Sequence, residues 1–91
     1  MSGNYKILIT KDAKKDKEKI KSIPSLKKNV ENLINVIKDD PYKNPPRYEK
    51  LKGNLEGLYS RRINNKHRLV YQVYEDEKVV KIVSMWSHYE F

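Results

Sequence analysis

The stretch Leu58-Tyr59-Ser60-Arg61-Arg62-Ile63-Asn64-Asn65-Lys66-His67-Arg68-Leu69-Val70-Tyr71-Gln72-Val73-Tyr74-Glu75-Asp76-Glu77-Lys78-Val79-Val80-Lys81-Ile82-Val83-Ser84-Met85-Trp86 decides the fold. β-Branched and aromatic residues crowd three runs, Leu58 to Ile63, His67 to Tyr74 and Val79 to Trp86. Asn64-Asn65 and Glu75-Asp76-Glu77 separate them. Such runs read as strands, and connections this short make them an antiparallel meander. Alternate residues of a strand share a face, so Arg68, Val70, Gln72 and Tyr74 fall together, as do Val80, Ile82, Ser84, Trp86 and His88. A three-residue turn at Glu75 to Glu77 pairs Tyr74 with Lys78, sets Arg68 opposite Ser84 and brings His88 to the same face. A four-residue turn pairs Tyr74 with Val79 and sends the two to opposite faces. The residues alone leave both open.

Upstream, Tyr5 to Thr10 reads as a strand, and Thr10 or Asp12 can cap a lysine-rich helix over Lys11 to Lys21. Ala13, Ile20 and Ile23 are its main apolar positions. Pro24 breaks it, and Ser25 is placed to cap a second helix. There Leu26, Val30, Leu33, Ile34 and Ile37 recur at helical spacing, so this helix is expected to pack on the sheet. Asp39-Asp40-Pro41 ends it, Asn44-Pro45-Pro46 extends the loop, and Tyr48 to Lys52 is a short strand or an ordered loop edge. Gly53 and Gly57 bracket a turn. The prediction is a single α+β domain over residues 1–91. An N-terminal strand and two helices precede an antiparallel sheet of three to four strands, with the helices on one face and the other face left for work.

Of the 91 residues, 37% are hydrophobic and 35% charged, close to the composition of disordered chains, but seven tyrosines, one tryptophan and the β-branched C-terminal third argue for a folded domain of modest stability. Without cysteine there can be neither disulfides nor a Cys-based zinc site. No apolar run reaches membrane-spanning length, and Met1-Ser2-Gly3-Asn4 lacks the features of a signal peptide, so a cytoplasmic protein with no membrane partner is expected. Lysine and arginine exceed aspartate and glutamate by 20 to 12, a formal charge of +8. That excess suits a polyanion or an acidic protein, though lysine alone could be solubilising surface. The four arginines, Arg47, Arg61, Arg62 and Arg68, lie in one short segment, and guanidinium groups suit bidentate phosphate contacts.

Cleaving RNA without a metal or cofactor needs a base for the 2′-hydroxyl, cations around the phosphorane and an acid for the leaving 5′-oxygen. Glutamate, arginine and histidine can fill those roles. Singly, such residues carry little information: a lone histidine is most often structural, and a lone glutamate among lysines is most often a surface ion pair. The combination is specific. Tyr48-Glu49-Lys50-Leu51-Lys52-Gly53-Asn54-Leu55, then Gly57-Leu58-Tyr59-Ser60-Arg61-Arg62-Ile63, His67-Arg68-Leu69-Val70-Tyr71 and the closing His88-Tyr89 resemble the YoeB (Txe) family of bacterial toxins, within the wider RelE group of toxin–antitoxin modules. The strong match runs from about Pro46 to Tyr89.

The resemblance implies ribosome-dependent, metal-independent endonucleolytic cleavage of messenger RNA in the A site, and so inhibition of translation. It also implies neutralisation by a wrapping YefM/Axe-like antitoxin, acidic and partly disordered, whose complex contacts operon DNA. By position, Glu49 resembles the general base, Arg68 the phosphate-stabilising arginine, His88 the general acid and Tyr89 a group that positions the substrate or leaving group. Arg61, Arg62, Lys50 and Lys52 are expected to contact phosphate or ribosomal RNA. Glu90-Phe91 extends past the His-Tyr pair, where many relatives stop. Arg47, Lys50 and Lys52 around Glu49 are expected to lower its pKa and weaken it as a base. Two other readings keep the fold: a gyrase poison like the related ParE toxins, which lack the catalytic set, and a non-catalytic basic module that binds RNA or the ribosome. A homodimer is open, since small domains gain stability by association.

Overall fold

The computed structural model describes residues 4–45 and 47–86. Its elements run β1 (Lys6–Ile9), α1 (Lys11–Lys21), α2 (Pro24–Asp39), β2 (Tyr48–Lys50), a 3-10 turn (Gly53–Leu55), β3 (Leu58–Arg62), β4 (Arg68–Tyr74) and β5 (Val79–Ser84). Thr10 caps α1, its Oγ1 accepting the Ala13 amide at 3.1 Å. That bond satisfies one of the amides a helix start leaves unpaired. Pro24 does not merely break the first helix. It opens the second at the first helical position, where a missing N–H costs nothing, so Ile23 rather than Ser25 is the capping residue.

The described strands form one five-stranded sheet in the order β1-β5-β4-β3-β2. The meander β2 to β5 is antiparallel, and β1 joins its far edge parallel to β5, with Lys6 opposite Val79 and Ile9 opposite Ile82. The expected antiparallel strands thus number four, and the N-terminal strand joins them to make the sheet mixed, because the two helices carry the chain back across one face between β1 and the meander. Leu26, Val30, Leu33 and Ile37 of α2 and Ala13 and Ile20 of α1 bury against Ile63, Leu69, Tyr71, Val80, Ile82 and Met85. Glu75 in the β4–β5 turn ties two further segments down. It accepts from Tyr5 ahead of β1 at 2.9 Å and from Tyr42 beyond α2 at 2.7 Å.

The turn after β4 is the four-residue form, Tyr74 opposite Val79, with Lys78 in the left-handed region at φ 54°. In an unbroken ladder that register would keep Arg68 and Ser84 on opposite faces. The ladder is not unbroken. Between Tyr71 opposite Ile82 and Val70 opposite Ser84 the register slips by one, with Val83 as the extra residue. Such a bulge changes which residues of the bulged strand face which side. Beyond it Ser84 stands across from Val70, the residue that shares a face with Arg68. His88 itself lies outside the described residues.

Candidate active site on the open face of the sheet

Strand alternation separates two sets of side chains. Tyr59 and Arg61 of β3, with Ile63 just beyond it, face the helices together with Leu69 and Tyr71 of β4; Ser60 and Arg62 share the other face with Arg68 and Val70. Glu49 stands opposite Ser60 and Arg62 opposite Arg68. Three neighbouring strands therefore bring Glu49, Ser60, Arg62 and Arg68 onto one patch. The Arg68 guanidinium reaches across β3, its Nη1 donating to Glu49 Oε1 at 2.8 Å and to Ser60 Oγ at 3.3 Å. The Glu49 side chain is 44% exposed and that of Arg68 19%, so the pair lies at the surface, open to a competing anion.

The hydrogen bond from Arg68 is the first cause holding the Glu49 carboxyl below its usual range. Partial burial opposes it, and the charges of Arg68, Arg47 and Arg62 add to it. The direction is the one the sequence suggests, but the leading cation is the cross-strand Arg68 rather than a sequence neighbour. Arg62 is exposed on this patch, and Lys52 is exposed two residues beyond β2. Lys50 is exposed too, but it pairs with Tyr59 and so belongs to the opposite side of β2 from Glu49.

Arg61 requires a correction. Expected to contact phosphate, it is instead fully buried on the helix side of the sheet. Its Nε donates to the Tyr71 hydroxyl at 3.1 Å, and its Nη2 to the carbonyls of Pro41 and Lys43 at 3.0 and 2.9 Å. The Tyr71 hydroxyl in turn donates to Pro41 at 2.7 Å, and burial pushes its pKa up to about 12 against the pull of Arg61. A buried cation is tolerated only when its donors are satisfied, and here they stitch the 41–43 loop to the sheet. Arg61 is a structural residue. Its neighbour Arg62 is the one that faces solvent.

Sequence reasoning passed over Ser60 and His67. Ser60 is fully buried between Glu49 and Val70 and orients Arg68. The period-two spacing from Arg62 was the available signal. His67 directly precedes Arg68 and sits on a turn organised by Asn64, whose Oδ1 accepts the amides of Lys66 and His67. Its ring stacks on Trp86, centroids 4.2 Å apart, and its Nδ1 bonds the Trp86 carbonyl. No spacing in the sequence announces that pairing, which depends on where β5 ends. His88 and Tyr89 lie outside the described residues. Among those described, no three His, Cys, Asp or Glu side chains gather as metal ligands would, and no helix is long and apolar enough to cross a membrane.

Comparison with known proteins yields matches along most of the chain. A family described as the YoeB-like toxin of bacterial type II toxin–antitoxin system matches residues 9–89. The Toxin YoeB of Streptomyces coelicolor is 45% identical over 62 residues, covering 68% of this chain and 71% of that protein. Among solved structures, a YoeB–YefM complex from Staphylococcus aureus contains a chain 34% identical with TM-score 0.80, covering 96% of this chain and 100% of that one. A YoeB dimer from the same organism matches at 34% identity and TM-score 0.82, with the same coverage.

Proposed function

This chain belongs to the YoeB-like toxins of bacterial type II toxin–antitoxin systems, and on that premise we propose that it is an endoribonuclease that cuts messenger RNA in the ribosomal A site. The observation that carries the reading is the Glu49–Arg68 pair: a carboxylate and a guanidinium 2.8 Å apart on an open sheet face. A base takes the 2′-hydroxyl proton, the 2′-oxygen forms a bond to phosphorus, the bond from phosphorus to the 5′-oxygen breaks, and an acid protonates that oxygen. Glu49 is the base, Arg68 stabilises the crowded phosphorane, His88 is the acid and Tyr89 positions the substrate. Arg62 and Lys52 contact neighbouring phosphates.

The pair also gives the reaction an order. In the free protein Arg68 is committed to Glu49, which is thereby a weak base. A substrate phosphate competes for Arg68, and each bond it takes from Glu49 removes part of what holds that carboxyl's pKa down. Phosphate binding thus strengthens the base it needs. General acid–base catalysis contributes about 10²–10⁴-fold, so much of the acceleration comes from holding the RNA in line and stabilising charge. A presenting ribosome supplies the alignment, and free RNA is a poor substrate.

His88 is two residues beyond Trp86, a span of at most about 7 Å between Cα positions, and Trp86 is bonded to the residue next to Arg68. Covalent reach supports an acid close to the cation. By the same family membership, an acidic, partly disordered YefM-like antitoxin covers the basic patch, the complex meets operon DNA through the antitoxin, and a second toxin copy is a further partner. Message ends mapped in a translating extract test the assignment. Arg68→Ala and His88→Ala are expected to lose most cleavage while keeping their fold, and wild-type cutting by both refutes it.

A further inference from the structure

We propose that Ser60 is a positioning residue: its hydroxyl is a second seat for the Arg68 guanidinium, which settles there as a substrate phosphate takes the place of Glu49. The inference rests on the nuclease reading, since it concerns how Arg68 passes from carboxylate to phosphate.

β3 lies between β2, which carries Glu49, and β4, which carries Arg68. The ladder partners of Ser60 are Glu49 on one side and, on the other, Val70, which shares a face with Arg68. Arg68 Nη1 donates to both side chains, at 2.8 Å to Glu49 Oε1 and at 3.3 Å to Ser60 Oγ. The first distance is that of a charge-assisted bond. The second is stretched beyond the usual range of about 2.7–3.2 Å. In the free protein the guanidinium is therefore drawn toward the carboxylate and off the hydroxyl.

The two partners differ in what can displace them. The Glu49 side chain is 44% exposed, and a phosphate of the same sign competes with it for Arg68. Ser60 is fully buried at the floor of the patch, out of reach of an incoming anion. Losing the Glu49 bond alone would loosen a long side chain and cost rotamer entropy when it is fixed again. An acceptor that stays behind removes part of that cost, and at 3.3 Å it has room to shorten as Glu49 lets go. A hydroxyl also carries no net charge, so it holds Arg68 without neutralising the charge that the phosphorane needs. A buried hydroxyl is unfavourable unless it is bonded, and Arg68 supplies the bond.

Ser60→Ala removes the hydroxyl and leaves the strand. Ser60→Cys keeps the shape but offers only a weak acceptor, and it carries the test if Ser60→Ala does not fold. Both are measured by single-turnover and steady-state cleavage on programmed ribosomes, beside Arg68→Ala and the double variant Ser60→Ala/Arg68→Ala. A fully buried hydroxyl offers nothing to ribosome binding, whereas a bond that tightens as charge develops shows in kcat. The expected result is a kcat lowered roughly ten- to thirtyfold in Ser60→Ala, with KM within about twofold. Ser60→Cys is expected to lose kcat in the same sense. Because Ser60 acts through Arg68, Ser60→Ala is expected to change the residual rate of Arg68→Ala by no more than about twofold, a non-additivity that general weakening of the sheet does not produce. Three results overturn the handover: wild-type kcat in folded Ser60→Ala (or in Ser60→Cys where the former does not fold), a loss confined to KM, or the full loss repeated on top of Arg68→Ala. With Arg68→Ala itself slow, each leaves the nuclease reading standing. Wild-type cutting by Arg68→Ala removes both.

Discussion

Arg61 and Arg62 are neighbours of the same type, and their fates diverge because a strand turns successive side chains to opposite faces. The sequence shows a cluster of arginines; it takes the register of β3 to show that one of them is interior. Arg61→Lys keeps the charge but loses the planar fork that serves Tyr71 and two carbonyls. It is expected to lower stability by about 2–3 kcal/mol in urea denaturation, the scale of a buried charged hydrogen bond, whereas Arg62→Lys is expected to leave stability within about 0.5 kcal/mol. Equal effects would contradict the burial of Arg61. Glu49 makes a second prediction. Its folded pKa is lowered, so the stability it contributes is present above the ordinary carboxylate value of 4.5 and is lost as pH falls through the lower folded value. Wild type is expected to melt above Glu49→Gln at pH 7, and the two are expected to converge as pH falls through that lowered value. A difference that grows on acidification contradicts the pair. In cleavage, Glu49→Ala is expected to lose less than Arg68→Ala or His88→Ala.

At the scale of elements, what was legible followed from periodicity. The stripe Leu26, Val30, Leu33, Ile37 both predicted α2 and named its buried face, and Lys11 to Lys21 carried enough cap and charge signal to bound α1 as observed. Ile37 is fully buried against the sheet, so Ile37→Ala is expected to cost about 2–5 kcal/mol, read by denaturation. Thr10→Ala, which removes the α1 cap, is expected to cost about 1 kcal/mol. What was not legible was long-range. That β1 pairs in parallel with β5, 73 residues on, depends on the helices' path rather than on the strand's own residues. The slip at Val83 is invisible in an apolar run where every residue suits a strand. Without that slip, the observed four-residue turn would set Arg68 and Ser84 on opposite faces.

For the whole molecule, a charge of +8 on 91 residues, with Arg62 and Arg68 beside Glu49 on the open face, sets how it meets polyanions. If Arg62, Arg68 and Lys52 each neutralise one phosphate of a short single-stranded RNA, affinity is expected to fall about twentyfold between roughly 50 and 200 mM salt, and Arg62→Ala is expected to reduce the logarithmic slope by about 0.7. A slope unchanged in that variant removes Arg62 from the contact. The site itself was partly legible. The clustered arginines suggested phosphate chemistry and the family resemblance singled out Glu49 and Arg68, while Ser60 and His67, which bond Arg68 and the Trp86 carbonyl, emerged only when the strands were set side by side. Cleavage as proposed begins with attack by the 2′-oxygen, organised by Arg68 and Glu49. The most direct test presents programmed ribosomes with a message carrying a single 2′-deoxynucleotide on the 5′ side of the scissile phosphate. The expected result is no cut at that bond, with normal cutting of the all-ribose message. Cleavage of the deoxy message at the same position and rate would contradict it.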